Sequence, residues 1–107
     1  MPVPAPNLKP DFNIVRLSHV EYNVRDLAAS RAFYVDTLGL QVTHETDDVI
    51  YLRAMEERGH HCIHLIESNA ASVGVLGFKV WEDVDLDRLS DFYTERGLPV
   101  EWIEKPF

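Results

Sequence analysis

The sequence predicts an α+β fold built from two related strand–helix–strand units, the first of which continues into two further strands. Two stretches carry this prediction: DLAASRAFYVDTLGLQV (26–42) and DLDRLSDFYTERGLPV (85–100). Both begin with Asp-Leu, contain a Phe-Tyr pair at the same distance from that Asp, and end in a glycine followed by an apolar segment. The first follows a run in which apolar and polar residues alternate loosely (14–24) and the second follows the apolar run VGVLGFKV (73–80), and both runs are predicted to be strands. The order strand–helix–strand therefore occurs twice.

The first strand and the first helix are predicted from alternation and from capping residues. Ile14–Val24 alternates loosely and is expected to be a strand. Asp26 is suited to the N-cap because its carboxylate can accept from the unpaired N–H groups that open a helix. Gly39 is suited to the residue after the helix, where a left-handed backbone costs glycine little. Residues between these two caps recur at helical spacing as an apolar stripe: Leu27, Tyr34 and Leu38.

The rest of the chain divides into short apolar runs separated by turns. Three strands are predicted after the first helix, at 40–46, 49–55 and 60–67. In the second unit the sequence predicts a strand at 73–80, a helix capped by Asp85 and ended by Gly97, and a strand at 98–104. We therefore expect a proline-rich extended arm (1–13), a complete βαβββ module (14–68) and an incomplete βαβ module (73–107). Such a module cannot cover both faces of its sheet, so the two are expected to pack as a pair.

Composition excludes several classes of partner. The net charge is −8, from 10 basic and 18 acidic residues, which argues against nucleic acid because phosphate binding needs clustered Lys and Arg. No apolar run approaches the roughly 20 residues that span a bilayer, so no membrane segment is expected. The N-terminal stretch lacks the apolar region of a signal peptide, and the single cysteine permits no intrachain disulfide. A cytoplasmic protein is the simplest expectation.

Four stretches carry a family resemblance: HVEYNVRDLAASRAFYVDTLGLQVTHE, IYLRAMEE, GHHCIHL and GFKV. They resemble the vicinal-oxygen-chelate superfamily, which includes glyoxalase I, bleomycin-resistance proteins and extradiol dioxygenases. Within it, the chain is most similar to the N-terminal domain of extradiol ring-cleaving dioxygenases of the homoprotocatechuate 2,3-dioxygenase or catechol 2,3-dioxygenase type. The resemblance covers nearly the whole chain from about residue 15 onward. It implies the paired-module glyoxalase/dioxygenase fold, with the first module complete and the second truncated.

The resemblance also implies a function for a larger parent enzyme. In such enzymes Fe(II) is held by two His and one Glu outside the N-terminal domain, and it binds a catechol-type substrate together with O2. The chain is then the non-catalytic portion of an enzyme of aromatic hydrocarbon catabolism, is expected to be inactive by itself, and is expected to form a homo-oligomer. Two alternatives stay open: a small bleomycin-resistance-like binding protein, and a glyoxalase-type metalloenzyme completed by dimerisation.

Histidines occupy two positions where the superfamily places metal ligands. His19 stands at the first-strand position and His64 at the fourth-strand position, and the resemblance puts those strands side by side. The equivalent position of the second module is Val75, which cannot bind a metal. Because a catalytic site needs three protein ligands, we expect no catalytic, cofactor-binding or metal-binding residue here, with His19 and His64 as the only metal candidates. His60 and His61 are expected to face solvent at least in part, since neighbours on a strand point to opposite faces.

Overall fold

Five strands and two helices follow one another over residues 2–104, the part of the chain that the computed structural model describes. The elements are β1 (Ile14–Val24), α1 (Leu27–Arg31) with a π-helical continuation (Ala32–Thr37), β2 (Gln41–Glu45), β3 (Val49–Arg53), β4 (Ile63–Glu67), β5 (Ser72–Val80) and α2 (Asp83–Glu95). The α+β class is confirmed, as is the β-α-β-β-β order of the first module. Neither helix in this range is long and apolar enough to cross a bilayer.

The strands form one sheet in the order β2-β3-β4-β1-β5. β1 and β4 are parallel neighbours, whereas β3 runs antiparallel to both β2 and β4. The side-by-side placement of the first and fourth strands, which the resemblance implied, is therefore confirmed. Two compact units are present among the described residues, one formed by residues 17–78 and the other by residues 2–16 together with residues 79–104.

The core of the 17–78 unit lies between α1 and one face of the sheet. Its four buried side chains are Leu27, Ile50, Leu52 and Leu65. Side chains alternate between the two faces of a strand, so burial of Ile50 and Leu52 in β3 directs Tyr51 to the opposite face. The same argument applies to β4, where Leu65 is buried and His64 precedes it. One face of the sheet is thus apolar and covered, and the other receives the polar and aromatic side chains.

The predicted helix caps of the first module are confirmed. Asp26 has an extended backbone and accepts a hydrogen bond from the N–H of Ala29 at 3.0 Å. Gly39 follows the helical segment with a φ of 79°, in the left-handed region that glycine adopts without strain. Gly97 does the same after α2, with a φ of 74°. Asp26 therefore marks the start of the first helical segment, and the two glycines mark the ends of the two helical segments, as predicted.

The first helix widens into a π-helical segment that the sequence did not indicate. The N–H of Leu38 donates to the carbonyl of Phe33, five residues earlier, instead of four as in an α-helix. The prediction that Leu38 faces the core assumed 3.6 residues per turn throughout the helix. The π-helical segment has more residues per turn, and this changes the direction in which the side chains after it point. Leu38 is 57% exposed instead, and Val35 packs against the core.

The prediction that Asp85 is the N-cap of α2 was wrong. The N-cap is Glu82, and Asp85 lies within the first turn, fully buried. Its carboxylate accepts hydrogen bonds from the backbone N–H groups of Glu82 (3.0 Å) and Asn13 (3.1 Å) and from the Arg88 side chain (3.3 Å). Burial alone would raise the pKa of Asp85, but the three donors together lower it below its ordinary value. Asp85 therefore joins the N-terminal segment to α2.

The strand predicted at 98–104 is absent from the described chain, and residues 98–104 are irregular. An extended segment becomes a strand only by pairing its backbone groups with a neighbour, and the sheet of residues 2–104 contains no partner for this one. Its apolar side chains, including those of Trp102 and Ile103, are exposed. At the other end, residues 2–13 form neither helix nor strand, as expected for an arm, and Phe12 packs edge-on against Phe92 at 5.1 Å.

Candidate functional site

Three side chains from adjacent strands form a row on the sheet face opposite α1. The strand register places Tyr51 of β3 beside His64 of β4, and His64 beside Glu21 of β1. The rings of Tyr51 and His64 are stacked, with centroids 4.1 Å apart and an interplanar angle of 13°. His64 Nδ1 lies 3.7 Å from Glu21 Oε1, and the two side chains are only 15% and 17% exposed. The predicted candidate His64 therefore lies between an aromatic ring and a carboxylate.

The second candidate, His19, reaches this row through His61. The His61 ring centroid lies 4.9 Å from that of His19, 4.8 Å from that of Tyr51 and 5.9 Å from that of His64. His19 also places its Nδ1 3.3 Å from the hydroxyl of the adjacent Ser18. The structure thus brings His19 and His64 into one group of rings, in which His61 is the common neighbour.

His60 and His61 lie partly buried in the loop before β4, because that strand begins at Ile63 and not at His60. The argument that adjacent strand residues point to opposite faces therefore does not apply to them. Their Nδ1 atoms are 3.0 Å apart, within hydrogen-bonding distance. Sequence reasoning placed both residues on the strand and so missed their contact.

Four of the five histidines lie around Tyr51, and the fifth, His19, contacts one of these four, His61. In addition to His61 and His64, His60 lies 5.3 Å from the Tyr51 ring and His44 of β2 lies 5.8 Å from it. We call this group the histidine cluster: His19, His44, His60, His61 and His64, with Tyr51 at its centre. The alternation in β3 could have directed Tyr51 to this face, but only the strand order shows that the histidines lie on the neighbouring strands.

A glycine in β5 makes room for one ring of the histidine cluster. A Cβ added to Gly77 would lie 2.5 Å from Nδ1 and 2.8 Å from Nε2 of His19, closer than real Cβ atoms approach other heavy atoms. The His19 ring therefore occupies the space that a side chain at position 77 would take. Sequence analysis did not identify Gly77, because nothing local indicates which strand lies beside His19.

The chemistry available at the histidine cluster is that of imidazole rings beside one carboxylate. Imidazoles can donate, accept and exchange protons, and Glu21 supplies a negative charge next to His64. A non-haem Fe(II) centre needs two histidines and one carboxylate that converge on a single ion. Within residues 2–104 no three His, Cys, Asp or Glu side chains are arranged to hold a metal ion. The residues described here do not fit such a centre.

Ring-cleaving dioxygenases are among the sequence relatives of this chain. It is 31% identical over 96 residues to metapyrocatechase of Geobacillus stearothermophilus, a match that spans 90% of this chain and 29% of that enzyme. It is 28% identical over 91 residues to the manganese-dependent 2,3-dihydroxybiphenyl 1,2-dioxygenase of Geobacillus genomosp. 3, spanning 85% of this chain and 29% of that enzyme. The chain thus corresponds to less than a third of the length of these relatives.

Solved structures give the same assignment. Homoprotocatechuate 2,3-dioxygenase of Brevibacterium fuscum, solved in complex with 3,4-dihydroxyphenylacetate, matches with a TM-score of 0.78 and 40% identity. That match covers 85% of this chain and 28% of the enzyme, and the relatives align through their N-terminal part. The sequence profile of the Glyoxalase/Bleomycin resistance protein/Dioxygenase superfamily matches residues 16–101. The chain therefore belongs to the Glyoxalase/Bleomycin resistance protein/Dioxygenase superfamily.

Proposed function

We propose that this chain is the N-terminal, non-catalytic portion of an extradiol dioxygenase that opens catechol-type rings with O2. One observation carries the proposal: a chain 40% identical in sequence and with a TM-score of 0.78 aligns over most of this chain but over little more than a quarter of its own length. Aromatic hydrocarbon catabolism, a cytoplasmic location and assembly into a homo-oligomer belong to the same proposal.

In this proposal the chain contributes two modules, residues 14–68 and 73–107, and no metal ligand. The parent enzyme's metal is Fe(II), held outside this chain. The histidine cluster has a structural role, in which the His64 ring is held by Tyr51 and Glu21, and His19 fills the space above Gly77.

The gene sequence beyond the codon for residue 107 tests the proposal directly. The 96 matched residues are 29% of metapyrocatechase, so that enzyme has about 330 residues. We expect this reading frame to continue for about 220 codons and to encode two histidines and one glutamate as the metal ligands. A stop codon shortly after residue 107 would instead favour the small binding protein of the bleomycin-resistance kind.

An activity measurement tests the non-catalytic role. The purified 107-residue chain, mixed with Fe(II) and 3,4-dihydroxyphenylacetate, is expected to consume no O2 beyond a control with metal and substrate alone. A parallel reaction with Mn(II) covers the metal that the name of one relative specifies. Oxygen consumption that is lost in His64→Ala, but retained in His44→Ala at the edge of the histidine cluster, would show that His64 is catalytic and would refute the proposed role.

A further inference from the structure

His60 and His61, which we call the histidine pair, bring two ring nitrogens to within 3.0 Å of each other, Nδ1 to Nδ1. Neighbours on a regular strand could not do this, because their side chains point to opposite faces. The histidine pair lies instead in the loop before β4, where both residues are partly buried and both rings turn toward one point. The strand geometry that would keep the two nitrogens apart is therefore absent.

Hydrogen bonds hold the loop on both sides of the histidine pair. Before it, the Glu57 carboxylate accepts from the N–H of Gly59 at 2.9 Å. After it, the N–H of Cys62 donates to the carbonyl of Leu52 at 2.8 Å, and the carbonyl of Cys62 accepts from the N–H of Val20 at 3.0 Å. The backbone that carries the two rings is thus tied to β3 and to β1. A ligand that binds both rings meets a prepared site, which lowers the entropy cost of binding.

The spacing of the two Nδ1 atoms matches neighbouring ligand positions around a divalent transition-metal ion. Metal–imidazole bonds are about 2.0–2.1 Å long. Two such nitrogens at a right angle, as in square-planar or octahedral coordination, are about 2.8–3.0 Å apart, whereas a tetrahedral angle separates them by about 3.3–3.4 Å. The observed 3.0 Å fits the right angle. Imidazole ligands in this geometry favour Cu(II) and Ni(II), and Cu(II) is bound the more tightly of the two.

We propose that the histidine pair binds one Cu(II) ion, or Ni(II) with lower affinity, through its two Nδ1 atoms. Without the ion, these atoms share one hydrogen, which one ring donates to the other. When the ion binds, that hydrogen moves to Nε2 of its own ring, so that both Nδ1 lone pairs face the metal. Within residues 2–104 no third His, Cys, Asp or Glu side chain is placed to join the histidine pair, so water fills the remaining positions. Such a site binds more weakly than one with three protein ligands.

This ion is not the metal of the proposed function. The parent enzyme's Fe(II) is held outside this chain, and an ion at the histidine pair takes no part in ring cleavage. The histidine pair also differs from His19 and His64, the residues at the positions where the superfamily places metal ligands. The inference therefore does not depend on the dioxygenase function.

Titration of the 107-residue chain with Cu(II) near neutral pH, followed by pulsed electron paramagnetic resonance, tests the proposal. The first equivalent of Cu(II) is expected to show two imidazole nitrogens in its coordination plane. His60→Ala and His61→Ala should each leave one imidazole and raise the dissociation constant at least about tenfold, the loss typical even of a residue that only supports a ligand. His44→Ala removes a histidine of β2 that contacts Tyr51 at 5.8 Å, and it should bind Cu(II) like the wild-type chain.

Circular dichroism establishes that each variant is folded, and glutamine replaces alanine at either position where the alanine variant is not. A two-imidazole signal that persists in both His60→Ala and His61→Ala would overturn the proposal. So would its loss in His19→Ala or His64→Ala instead, which would assign the ion to the first-strand and fourth-strand positions. Cu(II) without two bound imidazoles at one equivalent would show an adventitious ion only, and would overturn it as well. None of these readouts measures ring cleavage, so the proposed function and this site are tested separately.

Discussion

Alanine at position 77 tests whether the close approach of β5 to the histidine cluster is real. The added Cβ would lie 2.5 Å from Nδ1 and 2.8 Å from Nε2 of His19. Distances below 3.0 Å require something to move, and here the obstacle is a ring that also contacts His61 at 4.9 Å. Either the His19 ring leaves its position or β5 shifts away from β1. The first response loses the contact of the His19 ring with His61, and the second loses the packing of β5 against the His19 ring.

The magnitude follows from two opposing effects. Inserting a methyl group into a packed site costs about 1–3 kcal/mol. Replacing glycine with alanine returns about 0.4–1 kcal/mol, because the unfolded chain loses conformational freedom. We therefore expect Gly77→Ala to lower the free energy of unfolding by about 1–2 kcal/mol.

Urea unfolding followed by far-UV circular dichroism measures this free energy, and the chain offers a matched control. At Gly74 an added Cβ would lie 3.1 Å from Glu21 Oε2 and 3.3 Å from Asn23 Nδ2, the end atoms of flexible side chains, which need to shift by only a few tenths of an ångström. Gly74→Ala is expected to change the free energy of unfolding by no more than about 0.5 kcal/mol. All variants are compared at one protein concentration, because self-association would add to apparent stability.

A double-mutant cycle assigns the loss to the pair of residues. In the His19→Ala background the ring is absent, so Gly77→Ala should cost little, and the coupling free energy should be at least about 1 kcal/mol. Two results would refute the reasoning: a Gly77→Ala variant as stable as the wild-type chain, or a cost that is the same with and without the His19 ring. The second result would mean that the alanine disturbs β5 itself.

Two further predictions concern the core and the buried carboxylate. Leu65→Ala empties a fully buried position and is expected to lower the free energy of unfolding by about 2–5 kcal/mol, whereas Leu38→Ala, at an exposed residue, should change it by less than about 0.5 kcal/mol in the same urea experiment. Asp85→Asn is expected to lower the urea midpoint at pH 7, because the folded chain lowers the pKa of that carboxyl. The contribution of the Asp85 charge is present above the ordinary pKa of 3.8 and is lost as pH falls through the lower folded value, so the gap between variant and wild type should narrow below pH 3.8. A gap that stays constant with pH would contradict this account.

Local sequence was sufficient to predict the N-cap of α1 and insufficient to predict the N-cap of α2. Asp26 is the only acidic residue at the start of α1, so its assignment as N-cap followed directly and is confirmed. At the start of α2, four acidic residues fall within six positions, 82–87, and capping preference favours the three aspartates over Glu82, which is the observed N-cap. The choice depends on a distant contact, since Asp85 is held inside the first turn by the N–H of Asn13, 72 residues away.

Pairing partners limited the strand predictions in the same way. The strands at 40–46, 49–55 and 73–80 were found within a few residues of their bounds because each has a neighbour in the sheet. The apolar run at 98–104 has the composition of a strand and no neighbour, and it is irregular. Side-chain pattern indicates which segments can form strands, but the backbone hydrogen bonds of an adjacent strand decide which segments do.

The histidine cluster shows how the two repeats differ in chemistry while they agree in fold. The offset of 56 that aligns Tyr22 with Phe78 also aligns His19 with Val75 and Glu21 with Gly77. The second module therefore has neither a ligand nor a carboxylate at these positions, and its glycine provides the space in which the His19 ring lies. A paired-module metal site would need both first strands to direct ligands at one ion. Here β1 supplies the His19 ring and β5 supplies, at Gly77, the space that the ring fills. These two residues are therefore better suited to packing β1 against β5 than to holding a metal.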